Sequence, residues 1–503
     1  MKIKYSFFVL LAFIFLALPV TVFFWGFLKV IWAVIFTAAT FAAGFFLYRD
    51  TLKADREITV RPVLFCTAVL CCMIWAFFSG IGEFTWTTGD HTVRAAVLND
   101  LVEYDWPVFF DLSRQSNPAV REALGGETVA FAYYFTFWMI PSLIGKVFGI
   151  TAGRAALVIW GGLGLMLVTT GLFFIQKKPS FSAIAVSFLF GGLDIIPDLY
   201  QQFFTDYGVA WEGWNDQLYI HGNYFQTMNV FHQCIAGWLV TVLLTGSVNR
   251  RNIGTCGALV FCYSPWATIG ALPIAVYELL RKREGVSRKQ DMLTYGNIVM
   301  PVCILMCFGT FFTANIGATG DKGFIWEFFS SPVRLLVAYV LYVLIEFGIW
   351  ALLVYKDEKD SGLYWVSLIT LLIFPVYKMT EANDLLMRGT MVPMFVFTIF
   401  MIRKTDKIVG RIREKKRVTD LYEIGFLGMF LLMAFIPVVL LLTMLGCTSD
   451  LWKGIDTSVR AKDEIVSFGD IRNEEFTEVT KRQFYVYDYD GSLFFKVFGK
   501  GRT

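Results

Sequence analysis

The chain has 503 residues, 56% hydrophobic and only 17% charged, with 51 phenylalanines and a net charge of +3. Soluble domains carry roughly one-quarter charged residues, so this composition excludes a water-soluble globular enzyme. Apolar runs of about 20 residues cross a hydrocarbon core of about 30 Å as helix and are too long for barrel strands, which predicts an all-α polytopic membrane protein.

Lys2 and Lys4 precede the run Tyr5 to Phe24, which has the charge and greasiness of a signal peptide but no small-residue cleavage site after it; it reads as a retained signal anchor. Tyr5 to Phe24 and Leu28 to Tyr48 then form a hairpin, and Val63 to Ile81 carries the chain outward. Lys/Arg-rich loops face the cytoplasm, and Arg49 to Arg61, Arg281 to Lys289 and Arg403 to Arg417 are the clear cases. Those clusters are topology anchors near anionic lipid rather than nucleic-acid sites. Phe131 to Gly149 and Ala155 to Ile175 do not both cross if Lys177 and Lys178 are inside, so one of them is short, tilted or re-entrant. Pro265 and Pro273 break Gly254 to Leu280 into a helical hairpin. Further spans fall at Ile184 to Pro197, Val230 to Thr245, Ile298 to Phe312, Leu335 to Tyr355, Leu363 to Tyr377, Val392 to Ile402 and Phe426 to Leu445.

The expected map is a transmembrane domain over 1–445 with about 11 to 13 crossings, N-terminus cytoplasmic and C-terminus external, in a cell membrane. External loops fall at 82–130, 198–228, 313–332 and 378–391, and 446–503 is an external tail. The tail ends in alternating aromatics, Phe484 to Phe495, around Asp490-Gly491, a hairpin pattern. It is too small for its own core and is expected to dock on the external loops. The nine cysteines lack the clustered histidines of a zinc site, so no metal-ligand set is predicted.

Polar chemistry concentrates in Glu83 to Asp111. His91 to Tyr104 reads as an amphipathic surface helix with Val93, Val97, Leu101 and Tyr104 on one face and Arg94, Asp100 and Glu103 mostly off it. Asp90 falls at its N-cap, as a capping carboxylate or a catalytic one. The second large loop mixes aromatics, Trp211 and Trp214 among them, with His221 and acids, which suits sugar rings or an interfacial aromatic belt. Asp194 and Glu346 fall within predicted spans, where an ionisable group costs about 2.5 to 3.5 kcal/mol; Glu346 fits a proton-coupled transporter or a protonated acid bonded inside the bundle.

A span followed by Gly89-Asp90-His91, then a helix ending in Asn99-Asp100-Leu101 and Asp105-Trp106-Pro107, then Tyr133-Tyr134-Phe135, Pro141 and Gly145-Lys146, resembles the GT-C superfamily of membrane glycosyltransferases. Ser264-Pro265-Trp266 with Gly270 and Pro273, and Asn383-Asp384 with Met387-Arg388, extend the resemblance across roughly residues 82–393. It implies a GT-C-like bundle of the cell envelope that takes a hexose or pentose from a polyprenyl-phosphate lipid to an external glycan, lipid or protein acceptor, with inversion. It also implies a general-base carboxylate at the start of the first external loop: Asp90 by position, with Glu83 as fallback. Arg388 would hold the lipid phosphate, unless it pairs with Asp384 or reaches for headgroups; Lys378 and Arg334 are weaker alternatives. His91, Asp100, Trp211, Trp214, His221 and Asp384 would line the sugar and acceptor sites. The one cofactor in prospect is a divalent cation, Mg or Mn, and no Asp-x-Asp signature stands in the first loop to hold it. The competing functions are a transporter or lipid flippase built on Asp194 and Glu346, and a noncatalytic envelope assembly protein.

Overall fold

The frame is a hairpin of two helices, α1 (Tyr5–Phe27) and α2 (Val30–Leu52), joined by a tight turn at Leu28 and Lys29. The computed structural model describes all residues except 205–211, 247, 282–287, 316–320, 381–382, 415–419, 456–464, 472–474 and 503. Both helices are apolar on every side, as a helix must be when one face meets protein and the other lipid. α1 is mostly enclosed, while α2 turns Phe41 and Phe45 outward.

The chain continues through α3 (Pro62–Phe78), α4 (Asp90–Glu103), α5 (Pro118–Leu124), α6 (Met139–Phe148), α7 (Ile150–Gln176), α8 (Phe181–Leu189), α9 (Ile195–Phe204) and α10 (Asn223–Thr245). Then come α11 (Ile253–Phe261), α12 (Pro265–Leu280), the long helices α13 (Lys289–Thr313) and α14 (Pro332–Glu358), α15 (Gly362–Ile373), α16 (Asp384–Gly389), α17 (Met391–Arg413), α18 (Leu421–Trp452) and α19 (Glu475–Gln483). α1, α2, α7, α10, α13, α14 and α18 are each long and apolar enough to span a bilayer. The protein is therefore an all-α polytopic membrane protein. α10 is enclosed along its whole apolar length, whereas α2 and α18 expose most of theirs, so α10 is the central post.

Short strands mark the two ends of the bundle. At one end β1 (Lys2–Lys4) pairs antiparallel with β2 (Glu57–Thr59), Ile3 opposite Ile58, and the buried Asp50 carboxylate collects Arg49, Lys53 and Arg251. At the other end β3 (Phe109–Asp111), β4 (Thr128–Phe131) and β9 (Tyr485–Val486) form one antiparallel sheet. The tail strand thus completes a sheet begun in the first loop. A second pair, β5 (Lys322–Phe324) and β6 (Tyr377–Met379), joins two later loops, and β7 (Ile465–Ser467) with β8 (Asp470–Ile471) makes a small tail hairpin.

Several elements depart from the sequence expectation for identifiable reasons. Ile184 to Pro197 is not one span: α8 stops at Leu189 and α9 starts at Ile195, with the Gly191-Gly192 break between them. Asp194 consequently sits in the break. Phe131 to Gly149 resolves into β4, a turn and the short α6, and of the two runs only α7 is long and apolar enough to span a bilayer; Gly149, at φ +89°, makes the corner between α6 and α7. Gly254 to Leu280 breaks before Pro265, with Ser264 capping α12, and Arg250 at the head of α11 bonds the carbonyls of Glu278 and Arg281 at the foot of α12. The two ends therefore meet as in a hairpin.

The aromatics after Phe484 form β9, a turn and a terminal helical coil, Phe494–Phe498, rather than a hairpin at Asp490-Gly491. Phe494 packs on Phe23 and Phe311, a gain in burial that outweighs local pairing. α4 is not a surface helix either. Arg94 and Asp100, expected on its wet side, are 6% and 1% exposed, because the tail covers Asp100 while Arg94 turns toward Asp90 and the aromatic residues of the neighbouring segments. Ser467 Oγ and the Phe468 amide both donate to Asp100, Asn99 donates to the Val466 carbonyl at 3.0 Å, and Gln115 bridges Gly469 and Ile471.

Burial pushes the Asp100 carboxyl up to about 7 against the opposing Ser467 and Phe468 bonds. Because its folded value lies above its unfolded one, the folded state favours the proton, and tail docking loses stability as pH rises from about 4 through 7. Asp100→Asn accepts from the Phe468 amide through Oδ1 and donates its Nδ2 to Ser467 Oγ, so its thermal stability in detergent should vary less over this range than that of the wild type. An unchanged slope would remove Asp100 as the titrating group.

Candidate functional site

The candidate site is assembled from the start of α4, the head of α10, the loop before it, the β4–α6 segment and α16. Asp90 is the first residue of α4, yet its carboxylate makes no capping bond. It points instead to Arg94 one turn on, whose guanidinium donates to the Asp90 carbonyl at 2.7 Å and pairs with Oδ2 at 3.3 Å. The Asp90 side chain is 56% exposed, while Arg94 is 6% exposed. A water-accessible carboxylate thus stands on a buried cation.

Its position is set by the next residue. α10 loses helical geometry at Val230, φ −137° and ψ 38°, and the buried His91 ring closes on the Met228 carbonyl just before that kink through Nε2. A carbonyl only accepts, so Nε2 carries the proton of this bond. Burial, then Arg94, push the His91 imidazole down to about 4. Thr88 Oγ1 donates to Asn229 Oδ1 at 3.3 Å beside the same kink. The broken helix and the start of α4 hold each other.

Arg388 approaches from α16. Its Nε pairs with Asp384 at 2.9 Å and its NH1 donates to the Tyr134 phenol at 2.6 Å. Arg388 and His221 lie within electrostatic reach of Asp90. For Asp90, the protein packed around its open position disfavours ionisation, but Arg94 and then Arg388 outweigh it and hold the carboxyl below its usual range. His221, ringed by Tyr219 and Phe225 at 5.1 and 4.5 Å, is driven to about 3 by burial, so it is a neutral imidazole facing Asp90. Under Tyr134 lies His232, stacked at 5.7 Å, beside Gln233, which accepts from Ser264 at 2.7 Å.

Other residues singled out in the sequence lie elsewhere. Glu83 is paired with Arg154 at 3.3 Å. Asp100 serves the tail. Lys378 is buried on β6 with its ammonium 4.4 Å from the Phe328 ring centre, and Trp214 gives its indole N–H to Glu346 at 2.9 Å. Trp211 lies outside the described residues. Arg334 is on the rim of a cavity of about 610 Å3 whose walls include Trp214, Asn215, Ser330, Val333 and Leu341. Among the described residues no group of three or more His, Cys, Asp or Glu is arranged to hold a metal ion.

Arg94, Tyr133 and Tyr134 were not singled out for chemistry by sequence. Arg94 had a readable signal, its spacing of four from Asp90; Tyr134 had none, being 254 residues from Arg388. No protein-family model matches the chain, and no characterised protein or solved structure is significantly similar to it.

Arg388 is placed by backbone packing. α12 crosses α16 where Gly270 meets the Gly389 carbonyl so closely that a β-carbon at 270 would overlap it. Gly270→Ala should therefore cost about 1 to 3 kcal/mol through overpacking and loosen the Arg388–Tyr134 contact. A thermal midpoint equal to the wild type would show that the two helices do not need this approach.

Proposed function

We propose that the protein is a membrane glycosyltransferase that moves a sugar from a polyprenyl-phosphate donor to a hydroxyl of an external or lipid-linked acceptor. The observation that carries the reading is the meeting of a water-accessible, ionised Asp90 with Arg388 and Arg94, groups drawn from distant parts of the chain. The resemblance of Gly89-Asp90-His91 and Asn383-Asp384 with Met387-Arg388 to GT-C enzymes supports the same assignment.

In this scheme Asp90 accepts the proton of the acceptor hydroxyl as that oxygen attacks the anomeric carbon. The bond from the anomeric carbon to the phosphate oxygen breaks, and its electron pair leaves with the lipid phosphate. Arg388 and the Tyr134 phenol receive the growing charge on that oxygen. One displacement gives inversion. The negative charge of Asp90 also favours the oxocarbenium character of the sugar. His221 stays neutral, so it donates or accepts hydrogen bonds to sugar hydroxyls without adding charge, while the buried His91, held on the Met228 carbonyl, positions Asp90.

Asp90→Asn and Arg388→Ala should each lower transfer from a labelled lipid donor by about 100-fold or more, with Arg388→Ala also weakening donor binding; wild-type rates in both would overturn the assignment. Because Arg94 is the first of the groups that keep Asp90 ionised, Arg94→Gln should raise the carboxyl's value and move the acid limb of the pH–rate profile upward. An unmoved acid limb would mean that Asp90 is not the base.

A transport or flippase role is the second reading, favoured by one observation: Asp194 and Glu346 are fully buried with no cation paired to them among the described residues. Glu346→Gln abolishing lipid movement while leaving sugar transfer untouched would select it.

A further inference from the structure

Between α8 and α9 the chain runs through the bundle without helix, and its backbone groups are met by distant partners. Leu193 N–H donates at 2.9 Å to the Ile345 carbonyl, which lies in a π-helical turn of α14, Val343–Gly348. Trp350 donates to the Gly191 carbonyl at 3.1 Å, and Asn223 N–H to that of Phe190 at 2.8 Å. A π turn inserts one extra residue and re-aims its neighbours. Here it turns Glu346 toward the break.

Four carboxyl groups gather there: Asp194, Asp198, Glu212 and Glu346, none more than 3% exposed. Asp194 Oδ2 and Glu346 Oε2 converge from two segments on one point, since a β-carbon at Gly192 would lie 2.5 and 2.8 Å from them. No hydrogen bond of acceptable geometry reaches either oxygen of Asp194, either of Asp198, or Glu346 Oε2. The other groups facing the cluster bring no charge: Tyr342, beside Glu346, gives its phenol proton to the Leu371 carbonyl, and Trp214 is a neutral donor. No Lys, Arg or His is paired with any of the four among the described residues, and no three of them are spaced to hold a metal.

The loop from Glu212 to Gly222 hangs from this cluster. Trp214 Nε1 donates to Glu346 Oε1 at 2.9 Å and the Ile220 amide faces the same carboxyl. Gly222 N–H donates to Glu212 Oε2 at 2.6 Å, and Glu212 itself lies against Asp194 and Asp198. The same loop brings His221 to Asp90.

Ionised carboxylates only accept, and four of them in a dry interior repel one another. Each bound proton removes a charge and supplies a missing donor. We propose that Asp194, Asp198, Glu212 and Glu346 form a shared proton site that latches the Glu212–Gly222 loop over the bundle. Loss of the shared protons to the outer water sets Glu212 against Asp194 and Asp198, lifts the loop and withdraws His221 from Asp90. The proton site stands on its own geometry; its effect on transfer rests on the function proposed above.

Two measurements on the full-length protein in lipid nanodiscs test the latch without any activity assay. Infrared difference spectra should show protonated carboxyl bands at neutral pH that diminish in Asp194→Asn and in Glu346→Gln. Hydrogen exchange of the 212–222 peptide, corrected for intrinsic rate, should rise by about tenfold or more between about pH 7 and pH 9 and stay flat in either variant; one folded variant suffices. Absence of the bands, pH-independent exchange in the wild type, or protection that follows added Na+ or Mg2+ instead of pH would each overturn the proposal. If the loop responds as expected but sugar transfer is never seen, the latch stands and the transferase reading falls.

Discussion

A backbone carbonyl released inside a membrane protein must find a donor within the protein, and at the kink of α10 the ring of His91 supplies one. That single contact ties the central post of the bundle to the first turn of α4. Everything argued about Asp90 depends on it. The carboxylate precedes the anchored ring by one residue, Arg94 follows it by one turn, and the two together fix both where Asp90 points and why it stays charged. The break in α10 thus has a structural function: a continuous helix would offer His91 no free carbonyl.

Two further breaks follow the same logic. α8 and α9 are parted at Gly191-Gly192, and the freed groups are taken by Ile345, Trp350 and Asn223. α11 and α12 are parted before Pro265, where Ser264 caps the second helix and accepts nothing from lipid. Non-helical backbone at depth is tolerated only where protein surrounds it. In this molecule those are also the places where polar side chains collect: His232 and Gln233 beside Ser264, the four carboxyls beside Gly192, and Asp90 above Val230.

Much of the scaffold was legible in the sequence, because spans are written in long apolar runs and the break before Pro265 in its prolines; the break at Gly191-Gly192 was not, since Ile184 to Pro197 read as one apolar run. Ion pairs one helical turn apart, Asp90 with Arg94 and Asp384 with Arg388, were equally open to reading. What escaped was everything built by tertiary contact. α4 looked amphipathic because Arg94 and Asp100 are polar, and nothing near them in sequence announces that residues 466–471 bury Asp100 or that Arg94 turns inward beside Asp90. Glu346 appeared as a lone intramembrane acid, since the residues that gather about it come from two other segments. The Phe484 to Phe495 alternation predicted local pairing, but β4 and the crevice beside Phe23 offered better partners.

The last strand of the chain has a consequence for the order in which the protein is made. The residues after α18 are synthesised after all seven candidate spans, yet they clamp the far side of α4 through 466–471 and close the sheet on β4 through β9. Until those residues emerge, the helix that carries Asp90 lacks one of its two supports and its polar flank lies bare. A growing chain is therefore a helical bundle with one end unfinished. A stop anywhere after α18 would leave a full set of spans in the membrane and an unclamped α4.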